Sequence, residues 1–170
     1  MNTWVLADTH FRDTNCIKFR DFPSLGDMES TILRNCRRLI KKHDTVYLLG
    51  DLASSKEGLS LVRSINGRKK IVWGNHDMLP ISLYNVYFPK AEFSMWYKVG
   101  NVILSHVPIH PQELQYKGTY EHTRPPRYNI HGHVHTTTVK DDRYFNASVD
   151  VNNWGPVRLN DILSRWDLPA

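Results

Sequence analysis

Side chains that can bind metal ions follow five short apolar runs of this 170-residue chain. Strands deliver the residues at their carboxyl ends to a shared crevice, so these side chains are expected to meet if the runs are strands. They offer carboxylates, an amide and imidazoles but no thiol, a set typical of hard or borderline metals. The sequence therefore predicts a polynuclear metal site. Its expected ligands are Asp8, His10, Asp51, Asn75, His106, His133 and His135.

The spacing of these residues predicts how they share the ions. Asp8 and His10 stand two residues apart, which places both side chains on the same side of an extended backbone. Asp51 follows Gly50, and glycine lets the backbone come close to a ligand. A carboxylate between two cations can bridge them, so Asp51 is the predicted bridging ligand. His106 and His133 are expected at the second ion, with His135 turning back toward the first.

Charge determines what such a site would attract. Two divalent cations outweigh Asp8, Asp51 and a bridging hydroxide, so the centre stays positive and attracts a phosphate oxygen. Without metal, two carboxylates 4 Å apart would repel by about 4 kcal/mol at an effective dielectric near 20. A bound cation also lowers the pKa of its water toward about 7, which makes hydroxide available. Hydrolysis of a phosphate ester is the chemistry most typical of such a centre.

Further residues are predicted to act on the substrate. His76, next to Asn75, is the expected general acid, a role that typically contributes about 10² to 10⁴ in rate. Asp77 is expected to accept a hydrogen bond from His76 or another imidazole and so fix its tautomer. Candidate phosphate contacts are Arg12, Arg124 and Arg127.

Apolar periodicity predicts α/β architecture in one domain spanning residues 1–170. Strands are predicted over 2–7, 45–49, 69–73, 92–99, 101–105, 127–131 and 143–149. Helices are predicted over 27–43 with Asp27 as N-cap, over 56–65 and 79–87, and from Asn160. Gly100-Asn101 is a hairpin signal between two of the strands. Residues 107–127 are expected to form a long irregular loop that could close over the site.

Composition limits the class of protein. The net charge of +5 favours phosphate-bearing partners, although scattered positive charge can also serve solubility alone. The cluster Arg37, Arg38, Lys41 and Lys42 is typical of a solvated helix face. No apolar stretch reaches the roughly 20 residues of a membrane span, and the N-terminus has no signal-peptide layout. Two cysteines make no disulfide framework, so we expect a cytoplasmic protein without a membrane partner.

Taken in order, the motifs DTH, GD, GNHD, SHVP and GHVH resemble those of the calcineurin-like metallophosphoesterase superfamily. The resemblance runs over nearly the whole chain, including TVYLLGDL and NASVDVNNWGPVRLNDI. These flanks are similar to the short bacterial and phage phosphoesterases whose first motif reads DTHFGH. This chain has Arg12-Asp13 where those relatives have Gly-His, which affects the expected substrate contacts near residue 12.

The resemblance implies a two-sheet sandwich flanked by helices, in a four-layer α/β/β/α arrangement, with a dinuclear centre. It implies Asp51 on both ions and His76 as the catalytic histidine. One ion would be held by Asp8, His10 and His135, and the other by Asn75, His106 and His133. The ligand chemistry suggests manganese, with iron, zinc, nickel or cobalt as alternatives.

The leading hypothesis is a phosphodiesterase or phosphatase acting on a small nucleotide-type substrate or a nucleic-acid end. One alternative is an interaction scaffold, since the superfamily includes a retromer subunit that resembles these enzymes; the presence of His76 favours an enzyme. A second alternative is a nuclease acting on polymers, for which strong salt dependence of binding is expected.

Overall fold

The computed structural model describes residues 1–114 and 127–169. Within these residues the chain forms nine strands in two sheets, and four α-helices. The strands are β1 (Thr3–Leu6), β2 (Thr45–Leu49), β3 (Arg68–Val72), β4 (Glu92–Ser94), β5 (Trp96–Val99), β6 (Val102–Ser105), β7 (Tyr128–His131), β8 (Tyr144–Asn146) and β9 (Val157–Arg158). The helices are α1 (Leu25–Leu39), α2 (Lys56–Arg63), α3 (Ile81–Tyr87) and α4 (Leu159–Ser164).

The strands form a five-stranded sheet in the order β4-β3-β2-β1-β9 and a four-stranded sheet in the order β5-β6-β7-β8. In the first sheet only the pairing of β1 with β9 is antiparallel, and in the second only that of β5 with β6. The expected two-sheet sandwich flanked by helices is confirmed.

Alternating side chains of the central strands enter two different cores, which explains why β1 and β2 are apolar on both faces. Leu6 and Leu48 pack with apolar residues of α1, α2 and α3. Val5 and Leu49, from the opposite face, pack against the second sheet and against Ile162 of α4. The central strands are therefore covered on both sides, and only their ends reach solvent.

Helix α1 begins earlier and ends earlier than the predicted range 27–43. Its N-cap is Ser24 rather than Asp27, because the Ser24 hydroxyl accepts the N–H of Asp27 at 3.1 Å. The chain leaves the helix at Ile40, and the Asp44 carboxylate then accepts the N–H of Lys41 at 3.0 Å. Throughout residues 1–114 and 127–169, no helix has both the length and the apolar character that crossing a membrane requires.

The predicted strand 92–99 is two strands that belong to different sheets. β4 pairs with β3 of the first sheet, whereas β5 pairs with β6 of the second. The chain turns at Met95, where the Ser94 hydroxyl donates to the Trp96 carbonyl at 2.6 Å. The hairpin predicted at Gly100-Asn101 is confirmed between β5 and β6, with a positive φ of 56° at Gly100.

Candidate metal centre

The carboxyl ends of β1, β2, β3, β6 and β7 bring the predicted ligands together in two groups. The first cluster consists of Asp8, His10 and His135, and the second cluster of Asp51, His106 and His133. Within each cluster one donor atom from each residue lies within 4.8 Å of the others. The remaining predicted ligand, Asn75, has its Oδ1 2.8 Å from Nε2 of His106, beside the second cluster.

Asp51 lies between the two clusters. Its Oδ2 is 3.5 Å from Nε2 of His10 and 3.4 Å from Nε2 of His106. Its Oδ1 accepts the N–H of His76 at 2.8 Å, which fixes the orientation of the carboxylate. This is the position that a bridging ligand requires.

Three of the imidazoles are oriented by an acceptor at Nδ1. The pairs are His10 with Asp13 at 3.1 Å, His106 with the Leu49 carbonyl at 2.9 Å, and His135 with Asp150 at 3.0 Å. With the proton on Nδ1 of His10 and of His135, the lone pair of each Nε2 is left for a metal ion. Nε2 of His10 is buried without a hydrogen-bond partner, and a buried polar atom of this kind calls for one. A cation fits the arrangement.

The electrostatics of the site also favour added positive charge. Burial raises the pKa of Asp8 to about 6, although the N–H of His133 donates to both of its oxygens. Burial lowers the pKa of His10 to about 4. At Asp51 burial acts in the same direction as at Asp8, but hydrogen bonds from His106 and from the His76 amide outweigh it and lower the pKa to about 2. A cation would restore the Asp8 carboxylate that burial disfavours.

Five of the seven predicted ligands have a left-handed backbone. Their φ values are 58° at Asp8, 47° at His10, 53° at Asp51, 69° at His133 and 49° at His135. The extended-backbone explanation for Asp8 and His10 is therefore wrong, because both residues lie in the irregular segment after β1 and have a left-handed backbone. Non-glycine residues rarely adopt this conformation, and such residues concentrate where function requires it.

Two glycines allow the ligand loops to approach each other. A Cβ on Gly74 would overlap the backbone nitrogen and Oδ1 of Asp51. A Cβ on Gly132 would lie 2.7 Å from Oδ2 of Asp8, closer than side-chain packing permits. Both carboxylates thus lie against backbone that only glycine can provide.

Among the described residues, no imidazole makes the predicted hydrogen bond with Asp77. Its oxygens accept the N–H groups of Asp51, Leu52 and Gly74, each at 2.9 Å, and the Tyr84 hydroxyl at 3.0 Å. The carboxylate is buried beneath the loops after β2 and β3 and holds them together. Its geometry supports a structural role.

His76 is exposed and stands beside the first cluster. Its ring centroid lies 5.3 Å from that of His10, and its side chain lines a cavity next to the clusters. The ring can therefore reach a substrate that occupies the cavity.

The structure describes the surroundings of two of the three arginines predicted to contact phosphate. Nη1 of Arg12 lies 3.5 Å from Glu29, which draws the guanidinium toward α1. Arg127 precedes β7 and donates its backbone N–H to Asn101 at 2.7 Å, at the end of the sheet opposite the ligands. The backbone of Arg127 thus lies at the amino end of its strand, and its contact with phosphate stays a prediction. Arg124 lies outside the described residues.

A sequence model of the calcineurin-like phosphoesterase superfamily domain matches residues 1–160. The chain belongs to this superfamily. An uncharacterized protein of Methanocaldococcus jannaschii is 30% identical to this chain in an alignment that covers 94% of this chain and 88% of that protein.

Two solved structures resemble this calcineurin-like phosphoesterase. A protein of unknown function from Aquifex aeolicus shares 24% identity, covers 96% of this chain and 98% of its own, and superposes with a TM-score of 0.71. An archaeal phosphodiesterase shares 16% identity, with 87% of this chain and 82% of its own chain covered, and superposes with a TM-score of 0.51. At these identities both establish likeness of fold alone.

A cavity with a volume of about 400 Å³ opens on the first cluster. Its lining includes His10, His76 and His135 on the metal side. Phe19 belongs to the same lining and is 88% exposed, and Thr136 adds a hydroxyl. The volume suits a small ligand with an apolar or aromatic part.

Sequence reasoning missed a buried ion pair behind the first cluster. The Arg20 guanidinium donates to Asp150 at 2.8 and 2.7 Å and to the Asp8 carbonyl at 2.6 Å. Burial would raise the pKa of Asp150, but hydrogen bonds from His135 and Arg20 outweigh it and hold the pKa well below its ordinary value. The available signal was the family-like flank NASVDVNNWG, which contains Asp150; no signal marked Arg20.

Proposed function

We propose that this protein hydrolyses phosphate esters with two divalent metal ions, preferably manganese, and that its substrate is a small nucleotide-type phosphodiester or phosphomonoester. The observation that carries the proposal is the position of Asp51, with one oxygen between the imidazoles of the two clusters at 3.5 and 3.4 Å. Membership of the superfamily supports hydrolase activity at this site.

The ligands divide between two ions with Asp51 shared. Asp8, His10 and His135 would hold one ion; Asn75, His106 and His133 would hold the other. When bound, such ions supply charge for the phosphoryl oxygens and lower the pKa of a water toward about 7.

The remaining steps belong to side chains of this chain. His76, exposed beside the first cluster, would protonate the oxygen of the leaving group. Asp13 and Asp150 keep the proton of His10 and of His135 on Nδ1, so that each Nε2 faces the centre. Phe19 would pack against the base of a nucleotide in the cavity, since every base has a face that can stack.

A His76→Ala variant tests the acid role. With manganese bound, we expect it to lose about 10² to 10⁴ in rate on an alkyl phosphodiester, which needs a proton on its leaving group. The loss should be much smaller on bis(p-nitrophenyl) phosphate, because p-nitrophenolate is a stable anion and can depart without being protonated. His43→Ala, an exposed histidine after α1, is the matched control and should change neither rate.

Equal losses by His76→Ala on both esters would remove His76 from the acid role. Absence of turnover of any phosphate ester by the wild-type protein, at full occupancy with manganese, would favour an interaction scaffold instead.

A further inference from the structure

A second cavity lies at the opposite edge of the first sheet from the metal centre. It has a volume of about 450 Å³ and is formed by the loops that precede β2, β3 and β4. The five residues of β3 separate it from Gly74 and Asn75, a distance of about 17 Å along the strand. It is distinct from the cavity beside His76.

Cations dominate the lining of this cavity. They are Lys42, Arg63, Arg68, Lys69 and Lys90, and within residues 1–114 and 127–169 no acidic side chain lines the cavity. The nearby carboxylate of Asp44 is buried and accepts hydrogen bonds from Asn2, Trp4 and Lys41. The described part of the chain therefore places five cations around this cavity and no carboxylate in its lining.

Four of these cations remain available to a ligand. Lys69 is half-buried and donates to the Ile65 carbonyl at 2.6 Å, so it is held by the protein. The other four are exposed, and none has an ion pair or a side-chain hydrogen bond with residues 1–114 or 127–169. Like charges held close together repel, and an anion removes that repulsion.

The lining also contains an aromatic face. Tyr87, at the end of α3, is half-buried and borders the same cavity, next to Pro89. A positive groove that follows a backbone, combined with an aromatic side chain on which a base can stack, is the recognition chemistry of single-stranded nucleic acid.

We propose that this cavity binds a single strand of nucleic acid, with phosphates on Lys42, Arg63, Arg68 and Lys90 and a base against Tyr87. A polymer fits better than a lone phosphate, because exposed cations bind one anion weakly in water whereas each contact with a polymer releases a counterion. The site goes beyond the proposed function and does not depend on it, since binding requires no turnover.

The test measures binding of a fluorescent oligothymidylate to the full chain in EDTA, across a range of salt concentrations. Four phosphate contacts predict a slope of log K against log salt of about −3, near −0.7 for each contact. Lys42→Glu and Lys90→Glu should each weaken binding and reduce the slope by about 0.7. Tyr87→Leu, which keeps an apolar side chain, should weaken binding about tenfold with little change in slope.

Lys140→Glu is the matched control, because it reverses one exposed charge on a loop of the second sheet. It should bind like the wild-type protein. Equal weakening by Lys140→Glu and Lys90→Glu would mean that net charge alone attracts the strand, and it would overturn the site. Absence of binding at low salt, or binding only to anionic phosphatidylserine vesicles, would overturn it as well.

Hydrolysis of bis(p-nitrophenyl) phosphate with manganese separates this proposal from the previous one. Lys42→Glu and Lys90→Glu should leave that rate unchanged. If the strand does not bind but hydrolysis persists, only the second site falls; if the strand binds but the wild-type protein hydrolyses nothing, only the catalytic proposal falls.

Discussion

The two candidate metal-binding clusters are held in place by different means. In the first cluster, carboxylates orient both imidazoles, Asp13 at His10 and Asp150 at His135. In the second, a backbone carbonyl orients His106, and the ring of His133 has no hydrogen bond with a described residue. That ring rests edge-on against His106, with centroids 5.0 Å apart.

This difference has a consequence for the ions. A carboxylate on the far nitrogen makes an imidazole a more basic ligand, and its removal typically weakens metal binding by 10- to 100-fold. The first cluster should therefore hold its ion more tightly, and it should depend on side chains outside the ligand set. The second cluster should exchange its ion more readily.

The largest effect is expected at the residue that both clusters share. Asp51→Asn should weaken the binding of both ions by more than about 100-fold. The loss of a direct ligand costs more affinity than the loss of a residue that only orients a ligand. Elemental analysis after dialysis against manganese would count the ions. Asp142→Asn, which changes an exposed acid in the turn before β8, should keep both ions. A variant at Asp51 that retained both ions and full activity would refute its bridging position.

Asp150→Asn should distinguish the clusters. Without the charge on its partner, His135 becomes a weaker ligand, and we expect the first ion to be bound about 10- to 100-fold less tightly. The second ion should be unaffected, so a manganese titration should separate into two steps. Loss of both ions together would show that the clusters are not independently supported.

The cavities beside the clusters differ as well. The one beside the first cluster is bordered by Phe19, and the one beside the second by Trp96 and Asn75. Phe19→Ala should raise KM for a nucleotide p-nitrophenyl ester by about fivefold or more, with little change for bis(p-nitrophenyl) phosphate. If Trp96→Ala raises that KM instead, the nucleotide occupies the side of the second cluster.

A carboxylate remote from both clusters should affect stability without affecting the ions. Hydrogen bonds from the amides of Asn2 and Lys41 and from Trp4 lower the pKa of Asp44 from 3.8 to about 2. The carboxylate therefore stabilises the fold above the ordinary pKa, and this contribution is lost as the pH falls toward 2. Asp44→Asn should lower the free energy of unfolding by about 1–3 kcal/mol near neutral pH. Urea unfolding at several pH values should show that the free energy of unfolding of this variant falls less steeply at acid pH than that of the wild-type protein. Its manganese content should be unchanged.

Local patterns in the sequence were enough to predict the central strands and the convergence of the candidate ligands. TVYLL is apolar on both faces, so residues 45–49 were predictable as a strand covered on both sides. The seven ligand residues follow strand ends, and parallel strands must bring those ends to one edge. The motifs could therefore be assembled without knowing how the loops turn.

Other features depend on contacts that a local pattern does not encode. The donors to Asp77 come from three backbone amides and from Tyr84, and only the folded loops reveal them. Arg20 and Asp150 are 130 residues apart, so their pairing leaves no periodic signal. Arg127 precedes β7, and a strand presents its two ends to opposite edges of the sheet, so the backbone of Arg127 lies at the edge away from the ligands.

The carboxylate of Asp8 accepts the amide of His133, 125 residues further along the chain. While the chain is being synthesised, Asp8 and His10 emerge long before any other member of the first cluster. An ion cannot seed folding at such a place, because closing so long a loop precedes any gain from the closing contact. Metal ions would therefore bind after both sheets have formed, and they would come from the solution around the folded protein.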